Sequence, residues 1–96
     1  MEGWIIEELR KVDRRTIKLT SSKHLLYEKE LQLWELPYLK RTIRFGNPSP
    51  QDSTEEEKRI CFKLYFKDIG KTYFVVVALE ENHFKIITRM DKHGKY

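Results

Sequence analysis

Ile60-Cys61-Phe62-Lys63-Leu64-Tyr65-Phe66, then Lys67-Asp68-Ile69-Gly70, then Tyr73-Phe74-Val75-Val76-Val77-Ala78-Leu79: this stretch decides the fold. In its first part Ile60, Phe62, Leu64 and Phe66 alternate with Cys61, Lys63 and Tyr65, the period of a strand with one apolar face. Lys67 to Gly70 reads as a hairpin loop whose glycine supplies a positive φ. Tyr73 to Leu79 is apolar at both parities, which predicts a central strand covered on both sides. Glu80-Glu81-Asn82-His83 turns the chain again, and Phe84 to Met90 forms a third strand. Loops this short make sequence neighbours sheet neighbours, so the C-terminal half reads as an antiparallel meander.

Working outward, the N-terminal half has helical spacing. Trp4, Ile5, Leu9 and Val12 predict an amphipathic helix over residues 3–13, and Ile17 to Thr20 alternates as a short strand. Ser21 and Ser22 are suited to cap a second helix from Lys23 to Leu33, with Leu26 and Leu33 among its inward positions. Pro37 fits a first helical turn and Gly46 a left-handed stop, so a third helix is expected from Pro37 to Phe45. Its inward face would carry Leu36, Leu39 and Ile43. Asn47 to Glu57 is turn-forming and acidic, and reads as a solvated loop. The expected class is α+β: N-terminal helices packed on a curved antiparallel meander of three to four strands.

Ninety-six residues are one domain's worth, 1–96. The 40% hydrophobic and 12% aromatic content supports a packed core rather than a disordered chain. Nineteen Lys and Arg against 15 Asp and Glu give a net charge of +4 and a pI near 9.2, a mild pointer to anionic partners. The single cysteine, Cys61, excludes an internal disulfide and a Cys-rich zinc site, so a reducing, cytoplasmic setting is expected. The longest apolar run, Phe74 to Leu79, is too short to span a bilayer, and no membrane partner is expected. Four glycines exclude nucleotide-cradling loops. No histidine pair has metal-ligand spacing, so neither metal nor cofactor is expected.

Four short anchors carry a family resemblance. They are Ser22-Lys23-His24 opening a helix, Leu36-Pro37-Tyr38-Leu39-Lys40-Arg41-Thr42-Ile43 leading to Asn47-Pro48, Tyr73 to Val77, and Lys85-Ile86-Ile87-Thr88. In this layout, over about residues 17–90, the chain resembles a small domain family of the barnase, EndoU, colicin and RelE-like superfamily of metal-independent RNases. The resemblance implies a RelE- or barnase-like sheet with helices, RNA as substrate and Thr88 facing a cleft. One departure stands out: where such domains carry arginines after the histidine, this chain has Glu28, Lys29 and Gln32.

Metal-independent RNA cleavage needs a base for the 2′-hydroxyl proton, an acid for the leaving oxygen and donors for the phosphorane charge. His24 is the candidate base or acid, because imidazole titrates near neutrality. Lys23 beside it, and Lys40, Arg41 and Arg44 along the third helix, are candidate phosphate contacts. No acid falls between Pro37 and Gly46. Thr88 is a candidate catalytic hydrogen-bond donor, with Arg89 on the opposite face by alternation. Tyr73, with Tyr65 and Lys63, is a candidate base-stacking or backbone contact. The expected function is thus an RNase or RNase-toxin-like RNA-binding domain, with RNA and an inhibitory protein as partners. The alternative is a non-catalytic protein-interaction module of the same fold, which the missing arginines and the acidic loop Asp52 to Glu57 favour.

Overall fold

The computed structural model describes residues 3–26 and 32–96, without the side chains of His24 and Leu26. Helix α1 (Gly3–Arg10) is followed by strand β1 (Lys18–Ser21), helix α2 (Lys23–Leu26), helix α3 (Leu36–Phe45) and strands β2 (Asn47–Pro48), β3 (Arg59–Phe66), β4 (Lys71–Glu80) and β5 (His83–His93). Short 3-10 turns at Leu33–Glu35 and Pro50–Asp52 precede α3 and follow β2. The expected course of the second helix through residues 27–31 lies outside the described residues, and Leu33 belongs to the 3-10 turn, where it is exposed.

The class is α+β, and the sheet is larger and more mixed than a meander. Its order is β1-β5-β4-β3-β2, with β1 parallel to β5 and every other pair antiparallel. The extra pairing joins Lys18–Ser21 to His83–Ile86 across most of the chain, a long-range choice that local periodicity does not encode. The stretch Asn47 to Glu57, expected to be wholly loop, contributes the two-residue β2, the 3-10 turn and a Thr54–Arg59 bridge.

One face of the sheet carries the helices. Ile60 and Phe62 of β3, Tyr73, Val75 and Val77 of β4, and Phe84 and Ile86 of β5 meet Ile5, Leu25, Leu39 and Ile43 in one core. Removing each such side chain from water contributes about 2 kcal/mol. Ser22 caps α2: its hydroxyl accepts the Leu25 N–H at 3.1 Å. The α3 C-terminus is tied down by two arginines working reciprocally. The Arg14 guanidinium donates to the carbonyls of Ile43 and Gly46 at 3.2 and 2.8 Å and lies 4.9 Å from the centroid of the Phe62 ring. Arg44 donates to the carbonyls of Arg14 and Ile17 at 2.9 and 3.4 Å.

Gly46 does not take the left-handed conformation expected of it; its φ is −75° and ψ 168°. The position needs glycine for space, because a Cβ there would stand 2.7 Å from the Lys63 carbonyl oxygen. Gly70, at φ 63°, meets the expectation for the β3–β4 turn.

β4 is the central strand, as expected, and Phe74 is buried on its second face, but among the described residues no helix lies on that face. Cys61, Phe74 and Val76 are shielded there by the Pro50–Asp52 turn at one end and by the C-terminal residues at the other. A groove of about 410 Å³ remains between them, lined in part by Val76, Thr88 and Met90.

Candidate nucleic-acid interface

The open face is set by a single irregularity. Along β5, Phe84 and Ile86 point into the core, so strict alternation would bury Thr88 as well. Pairing instead jumps from Val77–Ile86 to Val76–Thr88, which leaves Ile87 as a bulged residue. Beyond the bulge the parity reverses. Thr88, Met90 and Lys92 stand on the open face, and Arg89 and Asp91 turn to the helix side. Thr88 and Arg89 therefore face opposite ways, as alternation requires, and the bulge chooses which of them is outside.

The same bulge receives the start of α2. Ser21 pairs with Ile86, the Ser22 N–H donates to the Ile86 carbonyl at 2.9 Å, and the Ser22 hydroxyl donates to the Ile87 carbonyl at 3.3 Å. Lys23, which is exposed, and His24 follow directly. Thr20 and Lys85 are partners across β1 and β5 on the open face, so a second cation flanks this junction.

The remaining candidates are distributed otherwise. α3 packs on the core face, so its exposed Lys40 and Arg41 lie on the other side of the sheet from Thr88. Arg41 borders a hollow of about 320 Å³ with Trp34, Pro37 and Tyr38. The guanidinium of Arg44 is committed to the two backbone carbonyls it holds. Tyr73 is fully buried on the core face, where its ring has no surface to offer a base. Tyr65, paired with Thr72, and Lys63, paired with Phe74, do stand on the open face.

Buried beneath α3 is a polar cluster that the sequence reading missed. The Tyr73 hydroxyl donates to Glu35 Oε1 at 2.8 Å, and the Gln32 N–H donates to Oε2 at 2.8 Å. Arg89 bridges Glu35 and Asp91 at 3.5 and 3.3 Å, and Lys71 reaches Asp91 at 3.2 Å. Burial first, then the Glu35 carboxylate, push the Tyr73 phenol well above its ordinary value. Arg89 Nε has no hydrogen-bond partner among the described residues. Every member sits at a position whose inward direction follows from strand register or from the turn before α3, information absent from local pattern. The only local hint is a carboxylate just before Leu36-Pro37.

Compared with protein-family models, curated proteins and solved structures, the chain matches none.

Proposed function

We propose that this protein binds RNA and cleaves it without a metal ion at the junction of α2 and β5. One observation supports the reading above others. Ser22 is hydrogen-bonded to the carbonyls of Ile86 and Ile87, so the backbone enters α2, where Lys23 and His24 follow, beside the bulge that precedes Thr88. These residues belong to two of the four anchors that carry the resemblance to metal-independent RNases.

In this reading His24 takes the 2′-hydroxyl proton while water protonates the leaving 5′-oxygen, or water takes the first proton and His24 supplies the second. The 2′-oxygen bonds to phosphorus, the P–O5′ bond breaks, and a 2′,3′-cyclic phosphate results. Lys23 and Lys85 offset the charge on the non-bridging oxygens, and the Thr88 hydroxyl donates a hydrogen bond to one of them. Lys40 and Arg41, on the far side of the sheet, take no part in that step. The test is total RNA incubated with the protein in EDTA. Cleavage with cyclic-phosphate ends is expected, falling about 10²-fold or more in His24→Ala, the scale of general acid–base catalysis. Intact RNA at micromolar protein, with no binding at low salt, would remove the proposal.

The alternative, a non-catalytic interaction module, draws on Asp52, whose carboxylate borders the groove that Thr88 lines. A stable protein partner that co-purifies without RNA would favour it.

A further inference from the structure

The open face changes character along β5. Away from the α2 junction, towards the β3–β4 turn, lie Lys63, Tyr65, Phe74, Lys92, Lys95 and Tyr96. No Asp or Glu side chain falls among these positions, since Asp91 faces the helix side with Lys71 and Asp68 is held by the Tyr38 hydroxyl at 2.7 Å. The aromatic and cationic groups are already organised. Lys92 Nζ stands 5.4 Å from the Phe74 ring centroid and 5.3 Å from that of Tyr96, and the two rings are 6.2 Å apart. The C-terminal residues are fastened to the sheet. The Tyr96 N–H donates to Thr72 Oγ1 at 3.3 Å, Thr72 Oγ1 donates to the Gly94 carbonyl at 2.7 Å, and the Gly94 N–H donates to the Gly70 carbonyl at 2.9 Å. Tyr96 remains 60% exposed, and a hollow of about 270 Å³ separates it from Lys63 and Tyr65.

We propose that this end of the open face is a platform for single-stranded RNA, on which bases stack against Tyr96 and Tyr65 while Lys63, Lys92 and Lys95 meet the phosphates. The choice of RNA as ligand rests on the cleavage reading above; the platform itself rests on the aromatic and cationic arrangement. Phosphate charge complements three lysines that have no Asp or Glu partner among the described residues. Rings standing on a sheet surface accept the faces of unpaired bases, whereas a duplex keeps those faces stacked inside and presents only edges. Thr88 and Lys92 are four residues apart on one strand, about 13 Å. A single strand leaving the α2 junction thus reaches the platform within about two or three nucleotides. Asp52 closes the opposite rim of the groove and repels a backbone, which directs the strand towards Tyr96.

The test is fluorescence anisotropy with a labelled 2′-O-methyl RNA 12-mer, which cannot be cleaved through its 2′-oxygen. Single-stranded and duplex forms are titrated over a range of salt concentrations. The single strand should bind at least tenfold more tightly than the duplex. Tyr65→Ala and Tyr96→Ala should each weaken it about fivefold or more, the scale of one lost base–aromatic stack. Lys63→Ala should lower the slope of log affinity against log salt by about 0.7. Arg10→Ala, on α1, should bind as the parent does. Equal affinity for duplex, or undiminished binding by both tyrosine variants, overturns the platform. Binding to phosphatidylserine vesicles with the oligonucleotide left free overturns it too, in favour of a membrane surface. Tyrosine-dependent binding with total RNA left intact keeps the platform and sinks the cleavage reading; cleavage indifferent to both tyrosines does the reverse.

Discussion

Arg89 joins two carboxylates on the helix side of the sheet. Its side chain is 9% exposed and lies between two carboxylates, one of them the buried Glu35. Truncating one partner of a buried pair leaves the other charge stranded in a medium that solvates it poorly. Arg89→Ala is therefore expected to lower the unfolding free energy by about 3–5 kcal/mol in a urea titration. Tyr73→Phe, which removes only the hydroxyl donated to Glu35, should cost about 2 kcal/mol. Lys40→Ala, on the exposed face of α3, should stay within about 0.5 kcal/mol. A result in which Arg89→Ala is as mild as Lys40→Ala would mean that the cluster is solvated in solution. The unpartnered Nε fits this picture: the guanidinium is positioned by its two carboxylates at the expense of its third donor edge.

At the scale of elements, two glycines end segments for different reasons. Gly70 turns the β3–β4 hairpin at φ 63°, so Gly70→Ala meets backbone strain of about 1 kcal/mol with nothing nearby to clash. Gly46 has an ordinary φ of −75° but is wedged between the Thr42 carbonyl of α3 and the Lys63 carbonyl of β3, so Gly46→Ala must shift backbone on one side or the other. Overpacking of this kind costs about 1–3 kcal/mol. The expected order of thermal midpoints is parent, then Gly70→Ala, then Gly46→Ala. The β5 bulge is the other decisive local feature. Without the extra residue at Ile87, Thr88 would enter the core and Arg89 would face solvent, and the buried cluster would be lost.

For the whole molecule, alkaline pH should be the destabilising direction. Burial pushes the Cys61 thiol from its ordinary 9.0 up to about 11, with the Asp52 charge adding to the effect. Tyr73 is pushed higher still than an ordinary phenol, again mainly by burial. In both cases the folded state holds a proton that the unfolded chain has already released. The stabilisation is thus fully present below the unfolded pKa and is lost as pH rises through the folded one. Denaturant midpoints should be flat with respect to these two groups below about pH 8, fall between pH 9 and 11 through Cys61, and keep falling above pH 10 through Tyr73. Cys61→Ala should flatten the first part of that decline. A midpoint unchanged up to pH 11 would show that neither group is shielded from water.

Local pattern alone determined the strands that alternate or run apolar, the β3–β4 turn at Gly70, the third helix and the α+β class, because each depends on side chains within one or two turns of one another. It also carried Ser22 as a helix cap and the opposite orientation of Thr88 and Arg89. The parallel pairing of β1 with β5, the single bulge at Ile87 and the closeness of α3 to β3 at Gly46 arise from groups tens of residues apart, and only the packed chain selects among them. For that reason Lys40 and the arginines of α3 came to lie across the sheet from Thr88, Tyr73 went inside and Tyr65 stayed out. Which side chains of β5 stand on the open face was decided by one bulged residue, which reversed the parity of half a strand.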